Sequence, residues 1–151
     1  QPPCANLILR TGMQWFKSQI RVRTPRRGLH DVTALVSTEL ERLGVREGMV
    51  FLYLQHTSAG LCISENYDPT AKRDLEAFLD RMAPDGETWH EHTLEGKDDS
   101  ASHMRSLLTG VNLSIPVENG RMLLGTWQGI YLCEHRAHPH ERTLLLRALA
   151  V

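Results

Sequence analysis

The stretch Met49-Val50-Phe51-Leu52-Tyr53-Leu54-Gln55-His56-Thr57-Ser58-Ala59-Gly60-Leu61-Cys62-Ile63-Ser64-Glu65-Asn66-Tyr67-Asp68-Pro69 decides the fold. Met49 to Gln55 is a nearly continuous apolar run with aromatics, of a length that suits a buried strand. It ends at His56. Gly60 to Glu65 reads as its hairpin partner. Asp68-Pro69 then opens a helix, with a carboxylate at the N-cap and proline at the first helical position. Strand, strand, helix is not the regular alternation of a parallel α/β protein.

Moving outward, Trp15 to Thr24 alternates, with Phe16, Ser18, Ile20 and Val22 on one face, and reads as a strand. Pro25 to Gly28 is a turn. Thr33 is placed to cap a helix from about Ala34 to Leu43, with Val36, Leu40 and Leu43 as its apolar stripe and Gly44 as its left-handed stop. On the other side, Leu75, Phe78, Leu79 and Met82 give the second helix an apolar face, and Pro84-Asp85-Gly86 ends it. Residues 87–98 read as a polar, His-rich loop with one short strand. Asp99 or Ser100 caps a third helix that stops at Gly110. Three strands follow, over Val111–Val117, Arg121–Glu134 and Arg142–Val151, with a hairpin turn at Asn119-Gly120. The expectation is an α+β protein. One compact domain over residues 13–151, a mostly antiparallel β-sandwich with about three helices, follows a loose tail over residues 1–12.

A chain of 151 residues suits one domain, and at this size about 68–70% of the unfolded surface is buried on folding. Formal net charge is −1, so no global attraction to nucleic acid or anionic membranes is expected. The basic stretch Arg21 to Arg27 reads as a solvated strand end. Cys4, Cys62 and Cys133 offer neither a disulfide framework nor a CxxC pair, which fits a reducing, cytoplasmic setting. No run is long and apolar enough for a membrane span, and the beginning of the sequence lacks the pattern of a signal peptide.

The eight histidines cluster at segment ends and in loops. His56 closes an apolar strand, as expected for a residue at the mouth of a cleft or for a hydrogen-bonded structural histidine. His90 and His92 are alternate residues and share a face if the segment is extended. Asp99 and His103 are four apart and share a helix face, and a helix N-terminus near Ser100 favours a bound phosphate or sulfate. His135, His138 and His140 read first as an exposed loop. Gly125-Thr126-Trp127-Gln128-Gly129 marks a sheet bend or a close approach. Imidazoles with carboxylates suit zinc or a similar divalent ion, and an incomplete protein shell leaves room for water or substrate.

Three of these stretches resemble signatures of the YjbQ-type family, labelled secondary thiamine-phosphate synthase. His56 to Pro69 is similar to its H-T-[ST]-A-x-L-x-x-x-E-N-x-D-P stretch. Glu95-Gly96-Lys97-Asp98-Asp99-Ser100-Ala101-Ser102-His103 is similar to E-G-x-[DN]-[DN]-x-x-[SA]-H, with His92 upstream. Gly125 to Glu134 is similar to G-x-W-Q-x-[IV]-x-x-x-E. The resemblance runs from about Trp15 to the C-terminus. It implies a homotrimer, and His56, His92 and His103, the histidines that fall in the matched motifs, are expected to converge and to hold a divalent metal, expected to be zinc, or to bind phosphate directly. His56, Glu65, His103 and Glu134 are the candidate catalytic groups. Asn66, Asp99, Ser100, Trp127, Gln128 and Arg142 are the candidate binding groups for a small phosphorylated molecule or free phosphate or sulfate. The implied activity is thiamine-phosphate synthesis, and a non-catalytic metal- or ligand-binding trimer is the alternative. His90 and the loop 137–141 depart from the family pattern.

Overall fold

A computed structural model describes residues 12–151, so the tail expected over residues 1–12 lies, but for residue 12, outside the described residues. Along the chain run β1 (Gln14–Thr24), β2 (Gly28–Asp31), α1 (Thr33–Leu43), β3 (Gly48–Leu54), β4 (Ala59–Glu65), α2 (Pro69–Met82), α3 (Asp99–Thr109), β5 (Asn112–Glu118), β6 (Arg121–Met122), β7 (Gln128–Glu134) and β8 (His140–Ala150). The strands form two antiparallel sheets, one of order β1-β8-β3-β5-β6 and one of order β2-β7-β4. This is the α+β sandwich with three helices expected from the sequence.

The core lies between the sheets. Val22, Val50, Leu52, Leu54, Leu144 and Leu146 of the larger sheet meet Leu61, Ile130 and Leu132 of the smaller one, and Val36 and Leu40 of α1 close one side. The β1 alternation buries Val22 and Thr24 and leaves Lys17, Arg21 and Arg23 exposed. The smaller sheet has a second apolar layer on its other face, where Leu29, Tyr131 and Cys133 pack with Leu79 of α2. With both faces covered, β7 is buried at every position after Gln128. That double burial explains why its sequence is continuously apolar rather than alternating.

Four local expectations are corrected. β3 and β4 are not a hairpin: β3 pairs with β8 and β5, whereas β4 pairs with β7 across the sandwich. The chain changes sheets through residues 55–58, so His56 lies at the sheet boundary. Thr33 does not cap α1: it is the helix's first residue, and its backbone N–H donates to Asp31 Oδ1 at 2.9 Å. The single strand expected from Arg121 to Glu134 is two strands in different sheets. Residues 87–98, all described, contain no strand where a short one was expected. Asp68 caps α2 by accepting from Thr70 N–H at 2.8 Å, as expected. Of that helix's anticipated stripe, Leu79 is buried and Phe78 and Met82 are exposed.

Candidate metal centre

The start of α3 and the loop before it bring His92, Asp99 and His103 together. One ligand atom from each lies within 4.8 Å of the other two. His103 stands one helical turn after Asp99, so both project from the same face. The Asp99 Oδ2 atom is 2.6 Å from His92 Nε2 and 3.3 Å from His103 Nε2. His103 Nδ1 lies 2.7 Å from the Thr57 carbonyl oxygen. A carbonyl only accepts, so this ring donates through Nδ1–H and, when neutral, its Nε2 lone pair points at Asp99. Either a proton on Nε2 or a metal ion between the two groups would satisfy this contact, and a donated Nδ1–H is the outer contact usual for a metal-ligating histidine.

Asp99 is buried and braced from behind. Arg136 donates through Nη1 to Asp99 Oδ1 at 2.7 Å, through Nε to Asp98 Oδ2 at 2.9 Å and through Nη2 to the Glu95 carbonyl at 2.9 Å. Burial works against the Asp98 carboxylate. Even so, donation from Ala137 N–H and Arg136 holds its pKa below the ordinary carboxylate value. Arg136 thereby fixes the orientation of Asp99 and leaves Oδ2 for the histidines. The sequence reading did not single out Arg136. The available signal was the Asp98-Asp99 pair itself, because two adjacent buried carboxylates demand a cation.

His56 stands outside this cluster. It lines, with His103, Thr57, Tyr53 and Ser106, an open groove of about 870 Å³. Its Nε2 accepts from Thr143 N–H at 3.0 Å, so one ring nitrogen is already occupied. Burial and the neighbouring Arg142 guanidinium lower its pKa, which keeps the ring neutral. Of the three histidines expected to converge, His92 and His103 do so, with Asp99 rather than His56 beside them.

Glu134 and Arg142 form a buried pair beside the groove. Arg142 Nε donates to Glu134 Oε1 at 2.8 Å, and Thr24 Oγ1 donates to the same oxygen at 2.6 Å. Arg136 N–H reaches the other oxygen at 3.1 Å. Burial opposes the Glu134 charge, but these donors prevail and its pKa is lowered. Both oxygens are engaged and the residue is 1% exposed. Arg142 also donates through Nη2 to Ser58 Oγ at 3.0 Å, which fixes the segment leading from His56 into β4. Ser100 lies in the first turn of α3.

The remaining candidates lie elsewhere. In the β4–β7 register, Ala59 faces Glu134 and Glu65 faces Gln128. Six residue steps at about 3.3 Å separate these ends by roughly 20 Å. Asn66 donates to Asp31 Oδ2 at 3.1 Å, Gln128 Oε1 accepts from Gly125 N–H at 2.8 Å, and Trp127 packs edge-on against Tyr67. A side chain at Gly129 would come 2.3 Å from the Asn66 amide, so the close approach there is internal. Glu65, Asn66, Trp127 and Gln128 therefore do not join the histidine site within one chain. His90 is also separate, packing at 4.5 Å on Trp89.

Residues 18–150 match the family model described as "UPF0047 protein YjbQ-like". The chain is similar to UPF0047 protein YjbQ of Escherichia coli O157:H7, with 42% identity over 87% of this chain and 95% of that protein. It is also similar to UPF0047 protein YugU of Bacillus subtilis, with 36% identity over 86% of this chain and 96% of that protein. Among solved structures, a conserved hypothetical protein of Thermus thermophilus superposes with a TM-score of 0.79 at 37% identity, covering 87% of this chain and 99% of that one. A YbjQ-like protein of unknown function from Sulfolobus solfataricus reaches 0.84 at 23% identity, covering 93% of this chain and 100% of that one, a likeness of fold.

Proposed function

The chain belongs to the UPF0047 YjbQ-like family, and from that premise we propose that it holds a divalent cation on His92, Asp99 and His103 and acts on a small phosphorylated molecule in the adjoining groove. The observation that carries this is the convergence of His92 Nε2 and His103 Nε2 on one oxygen of the braced Asp99. Two imidazoles and a carboxylate are the ligand set of zinc sites that keep an open position. When bound, such an ion would polarise a phosphoryl oxygen and neutralise charge leaving with phosphate or pyrophosphate.

The protein's own groups have separate tasks. Thr57 O fixes the His103 ring, and Arg136 fixes Asp99. His56 is held neutral on the groove wall, with Nε2 accepting from Thr143 N–H and Nδ1 3.4 Å from Arg142 Nη1, and its ring shapes the wall beside the ligand. Arg142 secures the Ser58 segment from within. The resemblance supplies thiamine-phosphate synthesis as the reaction to test: the bond from the pyrimidine methylene to pyrophosphate breaks, a carbon–nitrogen bond to the thiazole phosphate forms, and pyrophosphate leaves. Homotrimeric assembly is part of the same reading. The exposed Trp15, Phe51 and Tyr53 on the outer face of the larger sheet give such an interface apolar surface.

The test is calorimetric titration of chelator-treated protein with Zn²⁺, paired with elemental analysis and a coupling assay. One ion per chain, with binding weakened at least about 100-fold in His103→Ala, is expected. Equal zinc binding by wild type and His103→Ala removes the metal centre. Zinc binding with coupling rates unchanged in His103→Ala and His56→Ala leaves the non-catalytic metal-binding reading instead.

A further inference from the structure

Away from the histidine site, Cys62 of β4 and Cys133 of β7 stand with their sulfurs 3.6 Å apart. Both are free thiols. Cys62 faces Tyr131 in the strand register and Cys133 faces Gly60, so the two cysteines are diagonal neighbours on the same face of the smaller sheet. They differ in access. Cys133 is fully buried, whereas Cys62 is partly exposed. Both line an apolar pocket of about 230 Å³ walled by Leu29, Leu75, Phe78 and Leu108. The pocket is large enough for a small oxidant.

We propose that Cys62 and Cys133 are a peroxide-responsive dithiol, in which Cys62 is oxidised first and Cys133 resolves it as an intramolecular disulfide. The Cys62 thiolate attacks hydrogen peroxide. A sulfur–oxygen bond forms, the oxygen–oxygen bond breaks, and the departing hydroxide takes up the thiol proton as water. The Cys133 sulfur then attacks the Cys62 sulfur. A sulfur–sulfur bond forms, the sulfur–oxygen bond breaks, and the second hydroxide leaves with the Cys133 proton as water. Two thiols lose two electrons and one peroxide becomes two waters.

The division of labour follows from the environment. The hydrogen bond from the Cys133 thiol favours the thiolate at Cys62 and lowers its pKa, while that same contact and burial push the Cys133 thiol well up. Diagonal partners across an antiparallel pair have Cα atoms about 7–8 Å apart, beyond the usual range of disulfide geometry, so closure requires a strand movement that brings the two backbones closer. A bond formed in that way is one that cellular thiols can reopen.

The experiment uses the full chain carrying Cys4→Ser, so that Cys62 and Cys133 are the sole thiols. Reduced protein is exposed to hydrogen peroxide, unfolded in an alkylating agent and analysed by intact mass and peptide mapping. The expected result is loss of both alkylation sites, a mass lower by two hydrogens and a Cys62–Cys133 cross-linked peptide, all reversed by dithiothreitol. With Cys133→Ser, oxidation should stop at a dimedone-trapped sulfenic acid on Cys62. With Cys62→Ser, Cys133 should stay alkylatable. Should the two-cysteine protein keep both thiols, accumulate sulfenic acid on Cys62 without a cross-link, or join Cys62 between chains, the proposal is overturned. The two-cysteine result decides the matter even if a serine variant fails to fold.

Discussion

At the Ala59–Glu134 end of the β4–β7 ribbon, charges are buried and paired, whereas at the Glu65–Gln128 end aromatic and amide side chains lie open to solvent. Glu134 and Arg142 are 1% and 4% exposed, against 54% for Trp127 and 76% for Tyr67. One strand, β7, runs from the open end to the buried one. The difference teaches that neighbouring residues of one sequence signature need not share a task. The buried end depends on complete charge satisfaction, where loss of one partner strands another. The open end has no such dependence.

The largest effect is expected for Arg142→Ala, which leaves Glu134 as a buried, unpaired carboxylate. Denaturant unfolding should show a loss of about 3–5 kcal/mol, and a loss below about 1 kcal/mol would mean that the network is not needed. Next is His103→Ala, with zinc binding weakened at least about 100-fold, or about 3 kcal/mol at roughly 1.4 kcal/mol per factor of ten. Arg136→Lys keeps the charge but removes the fork that holds Asp98 and Asp99. It should weaken zinc binding by about 10–100-fold, the range for an outer-contact residue.

A smaller effect belongs to His135, at the same end. Burial lowers its pKa to about 3, with Arg105 adding to the shift. The folded protein holds this ring neutral, while the unfolded chain takes up a proton near pH ~6.5. Its contribution is therefore present above that pH and is lost as pH falls toward the folded value of about 3. By pH ~5 the loss is about 2 kcal/mol. In His135→Gln the stability difference between pH ~7 and pH ~5 should shrink by that amount, and an unchanged pH slope would contradict it. The smallest effect is expected at the open end. Tyr67→Ala should change stability by no more than about 0.5 kcal/mol and leave zinc affinity untouched. A change in zinc affinity there would show that the two ends communicate.

Legibility followed the range of the forces involved. The cap at Asp68, the stop at Gly44 and the alternation of β1 are local and were readable. Strand pairing was not, because a short apolar run suits either neighbour and the choice between β4 and the true partners of β3 is made by the whole sandwich. The same holds at the site. The spacing of Asp99 and His103 showed that they share a face, but nothing local indicates that His56 turns to Thr143 while His92 turns to Asp99. Arg136 carries no local signal, because its partners lie 37 and 38 residues away.

One edge of the larger sheet is β1, eleven residues long and, among the described residues, paired only with β8. A long unpaired edge invites a strand from another molecule to dock along it. Lys17, Arg21 and Arg23 punctuate this one with like charges, and Pro25 follows directly after its end. Two copies approaching edge to edge would bring cation against cation. Such charges disfavour edge-to-edge stacking, although Arg21 is paired with Glu141 at 3.1 Å; with those three side chains replaced by threonine, light scattering should rise before Tm falls.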